Sequence, residues 1–266
     1  MNDDGIEIEA IALSKPGGRE HNEDAHGLWH DGRHVMAVVA DGAGGHLGGE
    51  VASTVVRSSM LTGFARAPSL EESALRHLLD QANRDVVARQ AEGGPLADMH
   101  STVALAAIDL YTRTLVMAHS GDSRVYLFRD GAVAARTTDH SLVQEMVASG
   151  MLDDEGARLH PQRNVLLSAL GSASEPPVIG VSAPTPLWPG DVILLCSDGV
   201  WEPLGDVVLR QTLQAALNAD HWLALIDARL QALADAEQDN YTALALFVQP
   251  GDENRTRLLA PGGHPL

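Results

Sequence analysis

The chain has 266 residues, 45% hydrophobic and only 4% aromatic, with a formal net charge of −18. That length suits one large domain or two small ones, with a core that Val, Leu, Ile and Ala must fill. So acidic a balance disfavours nucleic acid and anionic membrane surfaces, both of which call for Lys and Arg against phosphate.

The opening residues, Met1-Asn2-Asp3-Asp4-Gly5, lack the basic and apolar regions of a signal peptide. No apolar stretch reaches the roughly 20 residues of a membrane span. Cys196 is the one cysteine, which rules out an internal disulfide and fits a reducing compartment. The expectation is a soluble cytoplasmic protein. Residues 6–13 alternate acidic and apolar side chains, as a half-buried strand does. Residues 34–40 are an apolar run closed by Asp41-Gly42. A long helix is expected over about 49–66. A second is expected from 69, where Ser69-Leu70-Glu71-Glu72 has the form of a capped start, to about 90, with Gly93-Gly94-Pro95 breaking it. Residues 101–110, 115–119 and 124–128 read as strands, with turns at 109–114 and Asp130-Gly131. Residues 141–150 read as a short helix that Asp139 would cap, and 153–177 as irregular. Residues 191–197 form a strongly apolar strand. Helices at about 205–217 and 219–236 and a strand at 241–249 complete the order, before a polar tail, 250–266, expected to fray. Segregated runs of strands and helix pairs favour an α+β layered fold, with the helix pairs covering the outer faces of packed sheets.

Asp-Gly pairs occur at Asp31, Asp41, Asp130 and Asp198, and they separate into two kinds. Asp31-Gly32 and Asp130-Gly131 sit among polar residues between strands and read as hairpin turns. Asp41 and Asp198 each close a dense apolar run, so their carboxylates face partial burial, which costs several kcal/mol, on the order given for unpaired ions. A Lys or Arg could approach in space, or a divalent cation could meet the need. A donor set of carboxylates, carbonyls and Asn suits Mg²⁺ or Mn²⁺ and disfavours zinc or copper. His26 and His30 read as surface residues.

The Gly-rich stretch Gly42-Ala43-Gly44-Gly45-His46-Leu47-Gly48-Gly49 fits neither a dinucleotide fingerprint nor a nucleotide P-loop. Its expected roles are a tight turn and entry into the next helix. Cys196 lies in an apolar strand without the Arg of a cysteine-based phosphatase loop, and reads as a small core hydrophobe.

In order along the chain stand Arg19…Asn22-Glu23-Asp24, Val39-Ala40-Asp41-Gly42-Ala43-Gly44-Gly45-His46, Ser101-Thr102, Gly121-Asp122-Ser123-Arg124, Thr138-Asp139-His140-Ser141, His160-Pro161-Gln162-Arg163-Asn164, Cys196-Ser197-Asp198-Gly199 and Asp239-Asn240-Tyr241-Thr242. Each is weak alone; the ordered set resembles the metal-dependent Ser/Thr protein phosphatases of type 2C, and among them the compact bacterial members. The resemblance implies a sandwich of two antiparallel sheets flanked by helix pairs, as one catalytic domain over 1–249 with a flap at about 140–175. It implies two Mn²⁺ or Mg²⁺ ions, and a candidate third, serving to activate a bridging water. Asp41 would bridge two ions and the Gly42 carbonyl would bind one. Asp198 and Asp239 would complete the first site, Glu23 and Asp24 would hold waters or bind directly, and Asp122 would join Asp198 at the third. Arg19 would bind phosphate through its planar fork. The implied activity is hydrolysis of phosphoserine and phosphothreonine on proteins by a monomer, opposing a Ser/Thr kinase. The alternative is a non-catalytic phosphoprotein-binding module. Two positions depart from the family pattern. Ala43 stands where eukaryotic members often carry a His proposed as general acid, and His100 stands where a Gly is common. The parts of His46, His100 and Asn240 stay open.

Overall fold

The structure is a computed structural model that describes residues 5–44, 48–233 and 237–251. The chain opens with strands β1 (Ile6–Lys15), β2 (Asp24–His30) and β3 (His34–Ala43), then the helix pair α1 (Gly48–Arg66) and α2 (Glu72–Gln90). Next come β4 (His100–Ser101), β5 (Val103–Asp109), β6 (Thr114–Ser120), β7 (Arg124–Arg129) and β8 (Ala132–Arg136). Short helices α3 (Leu142–Ala148) and α4 (Asp154–Arg158) lead to β9 (Gly180–Val181), β10 (Thr185–Pro186) and β11 (Val192–Cys196). A second helix pair, α5 (Asp198–Ala215) and α6 (Ala219–Leu233), precedes β12 (Tyr241–Pro250).

Two antiparallel sheets result. One has the order β1-β12-β11-β7-β8; the other runs β10-β6-β5-β3-β2, with β4 on β3 and β9 on β6. The period of two along each strand sorts the side chains. On β3, Val35, Ala37 and Val39 face the other sheet and join Ile8, Ile108, Ile193 and Leu246 in the central core. The alternate residues Met36, Val38 and Ala40 pack under α1 and α2 with Met60, Phe64 and Leu79. On the far side, Tyr126, Leu194 and Ala245 pack against Trp222 and Ile226 of α6. Each fully buried aliphatic or aromatic side chain contributes about 1.5–3 kcal/mol, so these three layers hold the two sheets face to face. The α+β four-layer sandwich is as expected.

Local boundaries differ in instructive ways. β3 continues through Asp41 and Gly42 to Ala43, because β2 pairs Asp24 with Asp41 and β4 pairs Ser101 with Gly42. α2 starts at Glu72, not Ser69; Ser69 Oγ accepts from the Glu71 N–H instead. The cap of α3 is Ser141, whose Oγ accepts from the Gln144 N–H. Asp139 is no cap: it is buried against Arg124. α5 begins at Asp198, earlier than expected, and the expected start marks a kink, where Gly205 adopts φ 64° two residues after Pro203. The hairpin readings hold: Asp130 and Gly131 both have positive φ, 52° and 71°, as a two-residue turn requires. The Asp31 carboxylate accepts from the Arg33 and His34 N–H groups. Cys196 is buried, and burial pushes its thiol up. His46 and the tail 252–266 lie outside the described residues.

Candidate active site

The acidic residues converge at one end of the sandwich. β2 begins at Asp24 opposite Asp41 of β3. β11 runs into Ser197 and then Asp198, the first residue of α5. Asp239 and Asn240 immediately precede β12. Asp122 lies in the turn from β6 to β7. Arg19, Glu23, Asp41, Gly42, Asp122, Asp198, Asp239 and Asn240 all line one cavity of about 470 Å³, together with His21, Ala43, His100 and Asn164. Asp24 is not in that wall. It lies behind it, with Oδ2 accepting from Ser197 Oγ at 2.8 Å.

Backbone contacts fix the geometry. Thr102 holds Asp41 twice, its Oγ1 accepting from the Asp41 N–H and its N–H donating to the Asp41 carbonyl. Thr102 Oγ1 also meets Ser123 Oγ at 2.6 Å, which ties β3 to the Asp122 turn. A side chain on Gly42 would collide with the Gly49 carbonyl, and a Cβ on Gly49 would lie 2.5 Å from Glu23 Oε2. Only glycine lets the start of α1 approach so closely, and the Glu23 carboxylate therefore sits against the positive end of that helix. Asn240 is a clasp. Its Oδ1 accepts from the Glu23 N–H, and its Nδ2 donates to the Pro16 and His21 carbonyls. The 16–23 loop, which carries Arg19, is thereby fastened to the base of β12.

The electrostatics are unbalanced. Burial drives Asp41 and Asp198 well above the usual carboxylate range, and neighbouring carboxylates push them further: Asp24, Asp198, Asp122 and Asp239 on Asp41. Burial also lifts Asp122 to about 7 and Asp24 to about 6, the latter against the opposing Ser197 hydroxyl, and raises Glu23. Among the described residues, Asp24 Oδ1 and Asp198 Oδ1 are buried with no hydrogen-bond partner; the third such atom is Glu7 Oε1 on β1. Buried acceptors are otherwise satisfied as a rule, and these two stand apart from that rule, Asp198 Oδ1 on a residue of the cavity wall and Asp24 Oδ1 on the residue behind it. The donor set is oxygen throughout, as Mg²⁺ or Mn²⁺ prefers. Among the described residues the acids do not already form a closed group of three that could hold an ion. Arg19 is half-exposed and reaches Asp239 Oδ2 at 3.2 Å. It also borders a second cavity of about 910 Å³ that shares Asn164, Asp198 and Asp239 with the first. His100 lies on β4 opposite Ala43. Thr102, Ser123 and Ser197 stand in the motif set without a role of their own; a hydroxyl next to Asp122 and Asp198 was the available signal for the two serines, whereas Thr102 meets Asp41 only through the fold.

A family model described as protein phosphatase 2C matches residues 17–247. The chain is 34% identical over 246 residues to the serine/threonine protein phosphatase PstP of Mycobacterium tuberculosis, covering 92% of this chain and 45% of that protein. It thus spans less than half of that relative's length. It is 32% identical over 203 residues to the serine/threonine phosphatase stp of Listeria monocytogenes, covering 74% of this chain and 79% of that one. Among solved structures, the catalytic domain of PstP in complex with two manganese ions superposes with a TM-score of 0.74 at 29% identity, over 92% of this chain and 99% of that one. The motif set, the two-sheet sandwich and these matches agree: the chain belongs to the protein phosphatase 2C family.

Proposed function

We propose that this chain hydrolyses phosphoserine and phosphothreonine on proteins, with divalent cations held in the acidic cavity. The observation that carries the reading is the pair of orphaned oxygens, Asp24 Oδ1 and Asp198 Oδ1, beside a wall of oxygen donors. Asp41, Asp198, Asp239 and the Gly42 carbonyl would hold two ions, with Glu23 and Asp24 as the surrounding acceptors and Asp122 with Asp198 as a candidate third position. Bound there, Mn²⁺ or Mg²⁺ would supply an activated water and neutralise charge on the phosphoryl oxygens. The manganese in the PstP catalytic domain supports this choice of metal.

The chain's own residues do the rest. Arg19, tethered on one side by Asp239, offers its planar fork to the phosphate. The Asn240 clasp keeps the Arg19 loop and the Glu23 main chain at the cavity rim. The adjoining cavity past Asn164 gives the peptide on either side of the phosphoresidue a place to lie. The substrates are phosphoproteins, and an opposing Ser/Thr kinase follows from that chemistry. We place the protein in the cytoplasm as a monomer. No helix among the described residues is long and apolar enough to cross a membrane.

The test is phosphate release from a phosphothreonine peptide with and without Mn²⁺. Turnover that requires the metal and disappears in Asp41→Asn is expected. Phosphopeptide binding without turnover, unchanged in that variant, would show a binding module instead.

A further inference from the structure

A serine or threonine alkoxide leaves phosphorus poorly unless a proton reaches its oxygen as the bond breaks, and that proton needs a donor at the cavity wall. Of the wall's carboxylates, all but the solvent-exposed Glu20 are committed to cations in the function proposed above, and Arg19 does not give up its proton. The other described side chains there with a transferable ring proton are the two imidazoles of His21 and His100.

They are held differently. His21 is on the clasped loop, about half-exposed, with Nε2 turned to Glu20 Oε1 at 4.0 Å. His100 is on β4, where its backbone pairs with Ala43, the residue after Gly42. Residues directly opposite across an antiparallel pair project to the same face with Cβ atoms about 4.5–5.5 Å apart. Ala43 is only a methyl group and adds little bulk beside His100 on the cavity wall that both line. The orientation of that ring is set by a hydrogen bond of 2.8 Å between Nδ1 and the Asp98 carbonyl. A carbonyl only accepts, so Nδ1 carries its hydrogen, and Nε2 is the nitrogen that gains and loses a proton.

We propose that His100 is the catalytic proton donor to the leaving serine or threonine oxygen, acting through Nε2. The proposal rests on the phosphatase reading. As the bond from phosphorus to the side-chain oxygen breaks, that oxygen takes the proton from Nε2 and leaves as the alcohol. The water oxygen forms the new bond to phosphorus and sheds one proton, and an equal proton reloads Nε2 from solvent. The sum is phosphoprotein and water giving alcohol and inorganic phosphate, with no oxidant or reductant.

The experiment compares the parent, His100→Gln and His21→Gln, all loaded with Mn²⁺, on a phosphothreonine peptide and on para-nitrophenyl phosphate, whose phenolate departs without a proton. Loss of a general acid typically costs 10²–10⁴-fold, so His100→Gln should lower kcat on the peptide by about 100-fold but on the aryl ester by under about threefold. Added imidazole should restore peptide turnover in His100→Ala, and thermal unfolding of each variant should match the parent. Equal losses on both esters, no imidazole rescue, or a selective loss in His21→Gln instead would overturn the role of His100. A folded, Mn²⁺-loaded parent that turns over neither ester would overturn the phosphatase reading itself, a different result.

Discussion

Two buried ionic clusters lie on either side of Trp201, and they are opposites. In one, Arg124 forks onto both oxygens of Asp139 at 2.8 and 2.7 Å, donates to Tyr126 Oη and lies 3.4 Å over the Trp201 ring. Tyr126 Oη passes the chain on to Asp206. Every charge there has its partner within the protein. In the other, only two residues back along the chain, Asp122 shares a cavity with Asp41, Asp198 and Asp239, and among the described residues Arg19 is their one cationic neighbour on that wall, apart from the histidines. Trp201 joins the two, donating from Nε1 to the Asp122 carbonyl. Burial of charge is thus solved internally in the first cluster and not in the second, which is the contrast that the proposed cations would remove.

The contrast can be broken on either side. The largest effect is expected from Asp139→Ala, which strands the Arg124 guanidinium without its carboxylate. Removing one partner of a buried pair costs about 3–5 kcal/mol, so urea unfolding should show a loss of that size, in metal-free and Mn²⁺-loaded protein alike. On the cavity side, Arg19→Ala removes charge-assisted hydrogen bonds worth roughly 1.5–3 kcal/mol. Catalytic efficiency on a phosphopeptide should fall about 10- to 150-fold, while calorimetry shows Mn²⁺ binding largely retained.

The open cluster should also announce itself through pH. Asp24 and Asp122 keep their protons in the fold up to about 6 and about 7, whereas in the unfolded chain they ionise near pH 4. The folded state therefore binds more protons above pH 4. Their contribution is fully present below that pH and is lost as pH rises through 6 and 7, at roughly 1.4 kcal/mol per pH unit for each group. Urea midpoints of metal-free protein between pH 4 and 7 should decline accordingly, and saturating Mn²⁺ should remove the decline. The hairpin at Asp31 titrates the other way. Its N–H donors hold the carboxyl down at about 2, so its contribution is present above pH 4 and fades toward 2. Asp31→Ala gives up only local hydrogen bonds, on the order of 1 kcal/mol, and phosphatase activity should not change.

Much of this division was legible in the sequence. The apolar runs before Asp41 and Asp198, set against the polar surroundings of Asp31 and Asp130, separated buried acids from turn acids because strand burial follows from the run itself. The layered order followed from the same periodicities. What stayed hidden depends on contacts between distant residues. Asp139, two residues before Ser141, has the local marks of a helix cap, and its true partner, Arg124, is disclosed only when β7 and the following loop come together. Asn240 reaches Glu23 from 217 residues away, which no local spacing could indicate. The start of α5 was obscured by Pro203 and Gly205, which are breakers by propensity, yet Asp198 opens a helical turn before the kink.

The most direct measurement is the stability of metal-free and Mn²⁺-loaded protein at neutral pH, for the parent and for Asp198→Asn. In the parent, Mn²⁺ at 100 times its dissociation constant should add about 2.7 kcal/mol. Asp198→Asn, relieved of a buried acid whose ionisation the fold resists, should be more stable than the parent without metal, by about 1 kcal/mol, and should gain little from Mn²⁺. A parent that gains nothing from Mn²⁺, or a variant that gains as much as the parent, would contradict the assignment of these carboxylates to cations.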